Sequence, residues 1–166
     1  MSAAIQCPNC PSFSVVPSNA GFSSDSIDLF KSLEKGIGHI WEPVNLGGPL
    51  EDALRSLIEL YLERSEANWD GYNAFPITED AVFDAWKLIK LLPLSIPMPE
   101  ILAEPNGEIG LEWYKERRLV FVVSVSGKRT LTYAGLFGSN TIHGVENLVE
   151  SLPPVVVDSL RRLFYS

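Results

Sequence analysis

Two histidines, His39 and His143, are the candidate general bases for nucleophilic catalysis in this chain. His143 lies in the stretch Ser139-Asn140-Thr141-Ile142-His143-Gly144, where a hydroxyl and an imidazole are close in sequence. Such a pair can act as nucleophile and general base when the two side chains are within hydrogen-bond reach. His39 has less supporting context. Because no nucleophile-elbow sequence accompanies His143, we predict a structural or surface role for it and keep a small enzyme using this loop as an alternative.

Carboxylate pairs are the next candidates, since two carboxylates can do acid–base work or bind a metal ion. Glu108 and Glu112 are spaced to share one face of a strand, and polar alternation on a half-solvated sheet explains them without a function. Asp70 stands beside Tyr72 in a connector, where we expect its side chain to accept hydrogen bonds from backbone amides of a turn. The chain contains no P-loop, G-x-G-x-x-G or H-E-x-x-H sequence. We therefore predict no catalytic residue and no cofactor.

Both cysteines fall in Cys7-Pro8-Asn9-Cys10. A C-x-x-C sequence supplies half of a structural zinc site, and the chain has no second pair to complete it, only His39 and His143. A thioredoxin-like redox motif would follow a strand and open a helix, whereas Pro11-Ser12-Phe13-Ser14 follows here. We expect two reduced, exposed thiols and keep Cys7 and Cys10 as the candidate pair for a metal.

A surface for binding another protein is the remaining candidate. The segment Asn68-Trp69-Asp70-Gly71-Tyr72-Asn73-Ala74-Phe75-Pro76 joins two amphipathic helical patterns and carries three aromatic side chains, although connectors between helices are normally polar. Tryptophan and tyrosine anchor interfaces, while charges steer association. The alternative is that the aromatic rings plug the end of a helical hairpin. We predict that five residues form a partner-binding site: Trp69, Asp70, Tyr72, Glu59 and Glu63.

Charge is distributed unevenly along the 166 residues, whose net charge is −8. Residues 1–84 carry 13 acidic and 4 basic side chains, whereas residues 85–166 carry 8 and 9. Affinity for nucleic acids rests largely on lysine and arginine neutralising phosphates, so the acidic front half predicts no direct nucleic-acid binding and favours a basic protein partner. An alternative is an acidic mimic of nucleic acid that inhibits a DNA- or RNA-binding protein.

No apolar run approaches the length of about 18 residues that spans a membrane, and the chain does not start with a basic and then apolar segment. We expect a cytoplasmic protein without membrane contact. Length and composition predict an extended arm over residues 1–24, rich in Ser, Pro, Asn and Gly, followed by one domain over residues 25–166.

Apolar periodicity predicts helices and strands that would position these candidates. Helices are expected over residues 26–35, from Pro49 to the 60s, from a Thr78 cap to Pro93, and after Pro153. Four prolines within residues 93–105 predict that any strand around residues 101–103 is short and at a sheet edge. Clearer strands follow at residues 108–114, 119–125 and 130–134, and the apolar run 119–125 should lie in the middle.

A loop through Gly135, Gly138, Asn140 and Gly144 and then a helical turn over residues 145–151 are expected to follow the last strand. The predicted fold class is α+β. Helices would pack on one face of a three- to four-stranded antiparallel sheet, with the extended N-terminal arm in front.

Four segments resemble a group of small uncharacterised bacterial proteins, in which an Asn-Trp-Asp-Gly-Tyr motif stands between a helix pair and an antiparallel meander. They are Trp69-Asp70-Gly71-Tyr72, Leu91-Leu92-Pro93, Gly110-Leu111-Glu112-Trp113 and Leu152-Pro153. The resemblance covers roughly residues 66 to 164 and implies the fold and a bacterial origin, without an activity. Position 73 is Asn where the group is expected to have Gly.

Proteins of this group look similar to members of mobile-element, toxin–antitoxin or defence gene sets. Together with the acidic surface, the resemblance favours a non-enzymatic bacterial protein that binds another protein. An antitoxin, immunity or defence-system component is the role that this association suggests.

Overall fold

The computed structural model describes residues 48–165. The predicted arm, the helix predicted over residues 26–35, His39 and the Cys7–Cys10 pair lie outside the described residues. The described residues form three helices and five strands: α1 (Pro49–Arg64), α2 (Glu79–Leu91), β1 (Glu100–Ala103), β2 (Ile109–Glu116), β3 (Leu119–Val125), β4 (Thr130–Phe137), β5 (Asn140–Asn147) and α3 (Pro154–Tyr165).

The strands form one antiparallel sheet in the order β1-β2-β3-β4-β5, so each strand pairs with its neighbour in sequence. The α+β class, the meander, the central place of β3 and the short edge strand β1 were all predicted and are confirmed. Pro99 and Pro105 flank β1, and because a proline has no amide hydrogen to donate to a ladder, they favour a short strand at the edge of the sheet.

The fifth strand corrects the sequence prediction. Residues 140–147 form β5 and pair with β4 along its whole length, where we predicted a loop and then a helical turn. The strand pattern in the sequence of residues 140–147 is weak, because β5 is an edge strand with only two large apolar residues, Ile142 and Val145. Its Gly144 leaves room for the Tyr133 side chain on β4, because a Cβ there would come within 2.5 Å of the Tyr133 hydroxyl and the ring would have to shift.

One face of the sheet forms the core. Its central ring is Phe121, whose centroid lies 6.1–6.4 Å from the rings of Trp113, Tyr133 and Phe137. Helix α3 contacts β3 and β4, and α2 contacts β2 and β3. Residues of the other face remain partly or largely exposed, as at Val122 and Val145. The buried residues of the central strands alternate: Ile109, Leu111, Trp113, Phe121, Val123, Val125 and Leu131.

The helices begin and end where the sequence predicts. Pro49 takes the first position of α1, and Thr78 caps α2 by accepting a hydrogen bond of 3.2 Å from the Ala81 amide. The buried row of α1 is Ala53, Leu57 and Tyr61, one residue in each successive turn. None of the described helices combines the length and apolarity needed to cross a membrane.

Candidate partner-binding site

The connector between α1 and α2 is a compact turn built on Asp70. Its Oδ1 accepts hydrogen bonds from the backbone amides of Tyr72 at 2.7 Å and Ala74 at 3.1 Å. The Asn68 side chain accepts one from the Asn73 amide at 2.8 Å, and the Asn68 amide donates to the Ala74 carbonyl at 2.8 Å. The predicted role of Asp70 as a turn residue is confirmed.

Three residues of this turn have left-handed backbones: Asn68 with φ 64°, Gly71 with φ 77° and Asn73 with φ 68°. Asparagine adopts this conformation more readily than other residues with a side chain. Asn73 therefore supports the backbone for which a glycine was expected at position 73.

Trp69 attaches the connector to the end of α1. Its indole Nε1 donates a 2.9 Å hydrogen bond to the Phe75 carbonyl, and the guanidinium carbon of Arg64 lies 4.8 Å from the ring centroid. Tyr72 has a different environment, because 87% of it is exposed. Trp69 thus has a structural role at the end of the hairpin, whereas the exposed Tyr72 does not pack into the end of the hairpin formed by the described residues.

A shallow groove of about 400 Å³ lies between α1 and the edge strand β1, with Trp69 at its margin. Its helical wall is formed by Ser56, Glu59, Leu60, Glu63 and Arg64, and its other wall by the residues of β1 at positions 101–103. The structure therefore brings together three of the five predicted site residues, Glu59, Glu63 and Trp69. Asp70 shapes the turn beside them, and Tyr72 projects from that turn.

Carboxylates give the helical wall of the groove a negative charge. Within residues 48–165, no ion pair engages Glu59. Glu63 lies 3.7 Å from Arg64 and its side chain is 69% exposed, so water weakens this pairing. Near the start of α1, in contrast, Arg55 lies 3.1 Å from Glu51 and 3.6 Å from Asp52. The uncompensated carboxylates of α1 are therefore concentrated in the groove.

Two parts of the groove were not singled out from the sequence. Arg64 contacts both Glu63 and Trp69. Its position five residues before Trp69 could have suggested a cation–π contact from the sequence. The wall at residues 101–103 was predicted as an edge strand, but its position beside α1 depends on how the hairpin packs on the sheet.

His143 lies on the outer part of the sheet and not in a flexible loop, which corrects our prediction. It is exposed on β5, opposite Ala134 of β4. Ser139 lies in the turn before β5, four positions before His143, and the strand from Asn140 to His143 alone spans about 10 Å, so the two side chains cannot form a nucleophile–base pair in this conformation. The Asp70 turn adjoins β1, four strand spacings or about 19 Å from β5.

Glu108 and Glu112 are also too far apart to act as a pair. The two residues share a face, but four positions along a strand place them about 13 Å apart. In the part of the chain that the structure describes, no group of three or more His, Cys, Asp or Glu side chains could hold a metal ion.

The two hydrogen bonds that Asp70 Oδ1 accepts lead to a testable prediction. Replacing Asp70 with alanine leaves the Tyr72 and Ala74 amides without their acceptor, and we expect a loss of about 1–2 kcal/mol in the free energy of unfolding. Asp70→Asn is the control, because its side-chain oxygen can accept the same bonds. Urea unfolding of both variants measures the difference, and equal losses would show that charge, and not hydrogen bonding, is what the turn requires.

Comparison with family models, with curated proteins and with solved structures finds no match to this chain.

Proposed function

We propose that this domain is a non-enzymatic module that binds another protein, and that the groove between α1 and β1 with the adjoining connector is its binding surface. The observation that carries the proposal is the exposure of Tyr72 on a hydrogen-bonded turn that directly follows Trp69, a residue that lines the groove. A tyrosine held on an ordered backbone loses little conformational entropy on binding, and tyrosine is among the residues that dominate interface energies.

Charge supports a basic partner. Glu59 and Glu63 lie on the helical wall and form no strong ion pair with any residue among 48–165. Complementary charge accelerates association and helps to select partners. An antitoxin, immunity or defence-system component is the biological role that we propose for such a module, on the association that the sequence resemblance suggests.

The nucleic-acid mimic is the second candidate, and the pattern of charge on α1 favours it less. A mimic needs a continuous series of unpaired carboxylates that replaces a phosphate backbone. Arg55 lies within 3.6 Å of both Glu51 and Asp52, which interrupts such a series near the start of the helix. A local acidic groove suits a protein partner better.

Binding kinetics with a partner co-purified from the native host test the proposal. Tyr72→Ala should change the free energy of unfolding by about 0.5 kcal/mol or less, because the ring is exposed, and should weaken binding about tenfold or more. Tyr114→Ala is the matched control, since Tyr114 is 61% exposed on the outer face of the sheet, away from the groove.

Charge reversal at Glu59 and Glu63 to lysine should slow association, and the effect should be larger at low salt, where screening is weak. Glu146→Lys combined with Glu150→Lys, at two exposed positions before α3, is the control that matches the change in net charge. Rates that are the same for the groove variants and for their controls would exclude the groove and the connector as the binding surface.

A further inference from the structure

One side of strand β1 has backbone groups that face the groove and that no residue among 48–165 pairs with. The Glu104 amide donates a 2.9 Å hydrogen bond to the Glu108 carbonyl, which continues the β1–β2 register beyond Ala103↔Ile109. Hydrogen-bonded pairs alternate in an antiparallel ladder, so Leu102 bonds to Gly110. The N–H and C=O groups of Ile101 and Ala103 then point away from β2, and no residue among 48–165 pairs with them.

The connector already uses the next position of this edge. The Phe75 amide donates a 2.9 Å hydrogen bond to the Pro105 carbonyl, two residues beyond Ala103. At the other end Pro99 has no amide hydrogen to offer. The open part of the edge is therefore limited to Ile101–Ala103, about 7 Å along the strand, and both of its outer residues line the groove.

We propose that an extended, basic segment of a partner protein adds to this edge as a sixth strand, alongside β1 in the groove. The inference rests on the proposed function and states how that function is carried out. Backbone hydrogen bonds to Ile101 and Ala103 would supply affinity, and alternate side chains of the added strand would contact the wall of α1.

Spacing and charge define the segment. Glu59 and Glu63 are one helical turn apart, so their Cβ atoms are about 6 Å apart. Side chains at positions i and i+2 of a strand are about 7 Å apart on one face. Two lysines or arginines separated by one residue therefore match the two carboxylates. Prolines on both sides of β1 keep the edge too short for unselective pairing, which is how natural sheets limit aggregation.

Selection from a display library of random heptapeptides against the 166-residue chain tests this mode of binding. The Glu59→Lys/Glu63→Lys variant serves for counter-selection. We expect selected peptides to carry two basic residues separated by one position. Methylating the alternate peptide amides that face β1 should weaken binding about tenfold or more, whereas methylating the intervening amides, which face solvent, should have less than about a threefold effect.

The Ala103→Pro variant tests the same edge by changing the protein and not the peptide. It removes an amide hydrogen that points into the groove, so the melting temperature should stay within a few degrees while peptide affinity falls about tenfold. Leu102→Pro is the control for the fold, because it removes a ladder bond to Gly110 and should lower the melting temperature clearly.

The outcomes separate the mode of binding from the function. Failure to select basic peptides, or binding that is indifferent to amide methylation and to Ala103→Pro, would overturn strand addition. If a co-purified partner still depended on Glu59 and Glu63 in that case, the proposed function would stand and another mode of docking would be required. If the partner did not depend on them either, both would be wrong.

Discussion

Replacing Phe121 with alanine is expected to lower the free energy of unfolding by about 3–5 kcal/mol. The ring is completely buried on the central strand and lies against three other aromatic rings. Its partner across the ladder to β4 is Gly135, where a Cβ would come within 2.9 Å of the Phe121 ring. No side chain at that position can fill the cavity left by the truncation, so the loss should be at the upper end of this range.

Thr132→Ala is the matched control. Thr132 is exposed on the neighbouring strand β4, on the face opposite Phe121, and its truncation should cost about 0.5 kcal/mol or less. Urea unfolding at equilibrium measures both values, and Phe121→Leu provides a milder change should the alanine variant not fold. Similar losses for Phe121→Ala and Thr132→Ala would contradict the assignment of the buried face.

Replacing Gly127 with alanine is expected to cost about 2–5 kcal/mol, for two reasons that add. Gly127 has a φ of +80°, and a left-handed backbone costs a residue with a side chain about 1–2 kcal/mol. A Cβ there would also come within 2.5 Å of the Asp80 Cβ and 2.7 Å of the Ala81 amide nitrogen in the first turn of α2. Such overpacking costs about 1–3 kcal/mol.

Gly138→Ala separates the two contributions. Gly138 has a φ of +66°, but no atom of the described residues lies within 4 Å of the position that its Cβ would take. We expect a loss of about 1–2 kcal/mol from the backbone alone. The difference between the two variants, measured by urea unfolding, is then the packing cost at the contact of the β3–β4 turn with α2. Equal losses would mean that this turn does not pack against the helix.

The Gly127 contact bears on the proposed site because it fixes where α2 sits on the sheet. The same turn region supplies the Arg129 amide, which donates a 3.0 Å hydrogen bond to the buried carboxylate of Asp84 on α2. Helix α2 in turn packs against α1, and α1 forms the wall of the groove. A displaced α2 would therefore change the distance between Glu59 and the edge of β1.

Local chemistry in the sequence determined most of the framework. Pro49, Thr78 and Pro93 act on their own helices, so the ends of α1 and α2 could be predicted without any tertiary contact. Gly107 and Gly127, which have left-handed backbones, likewise mark two hairpin turns through local sequence alone. Prolines around residues 101–103 predicted an edge strand, and the apolar run of residues 119–125 predicted a central one. The Asp70 turn is equally local, since its acceptor bonds reach only two and four residues along the chain.

Contacts between distant parts of the chain decided the rest. The sequence of β5 has little apolar periodicity. Its pairing with β4, and the contact of Tyr133 with Gly144, depend on residues of the neighbouring strand. Trp69 is half-buried by the contacts of its indole with Arg64 and Phe75, whereas Tyr72 is largely exposed, and aromatic composition alone cannot distinguish the two rings. The groove exists only because α1 packs beside β1, some 40 residues later in the sequence. Periodicity reports which face of an element is apolar, whereas the neighbour that this face meets is set by the packing of the whole core.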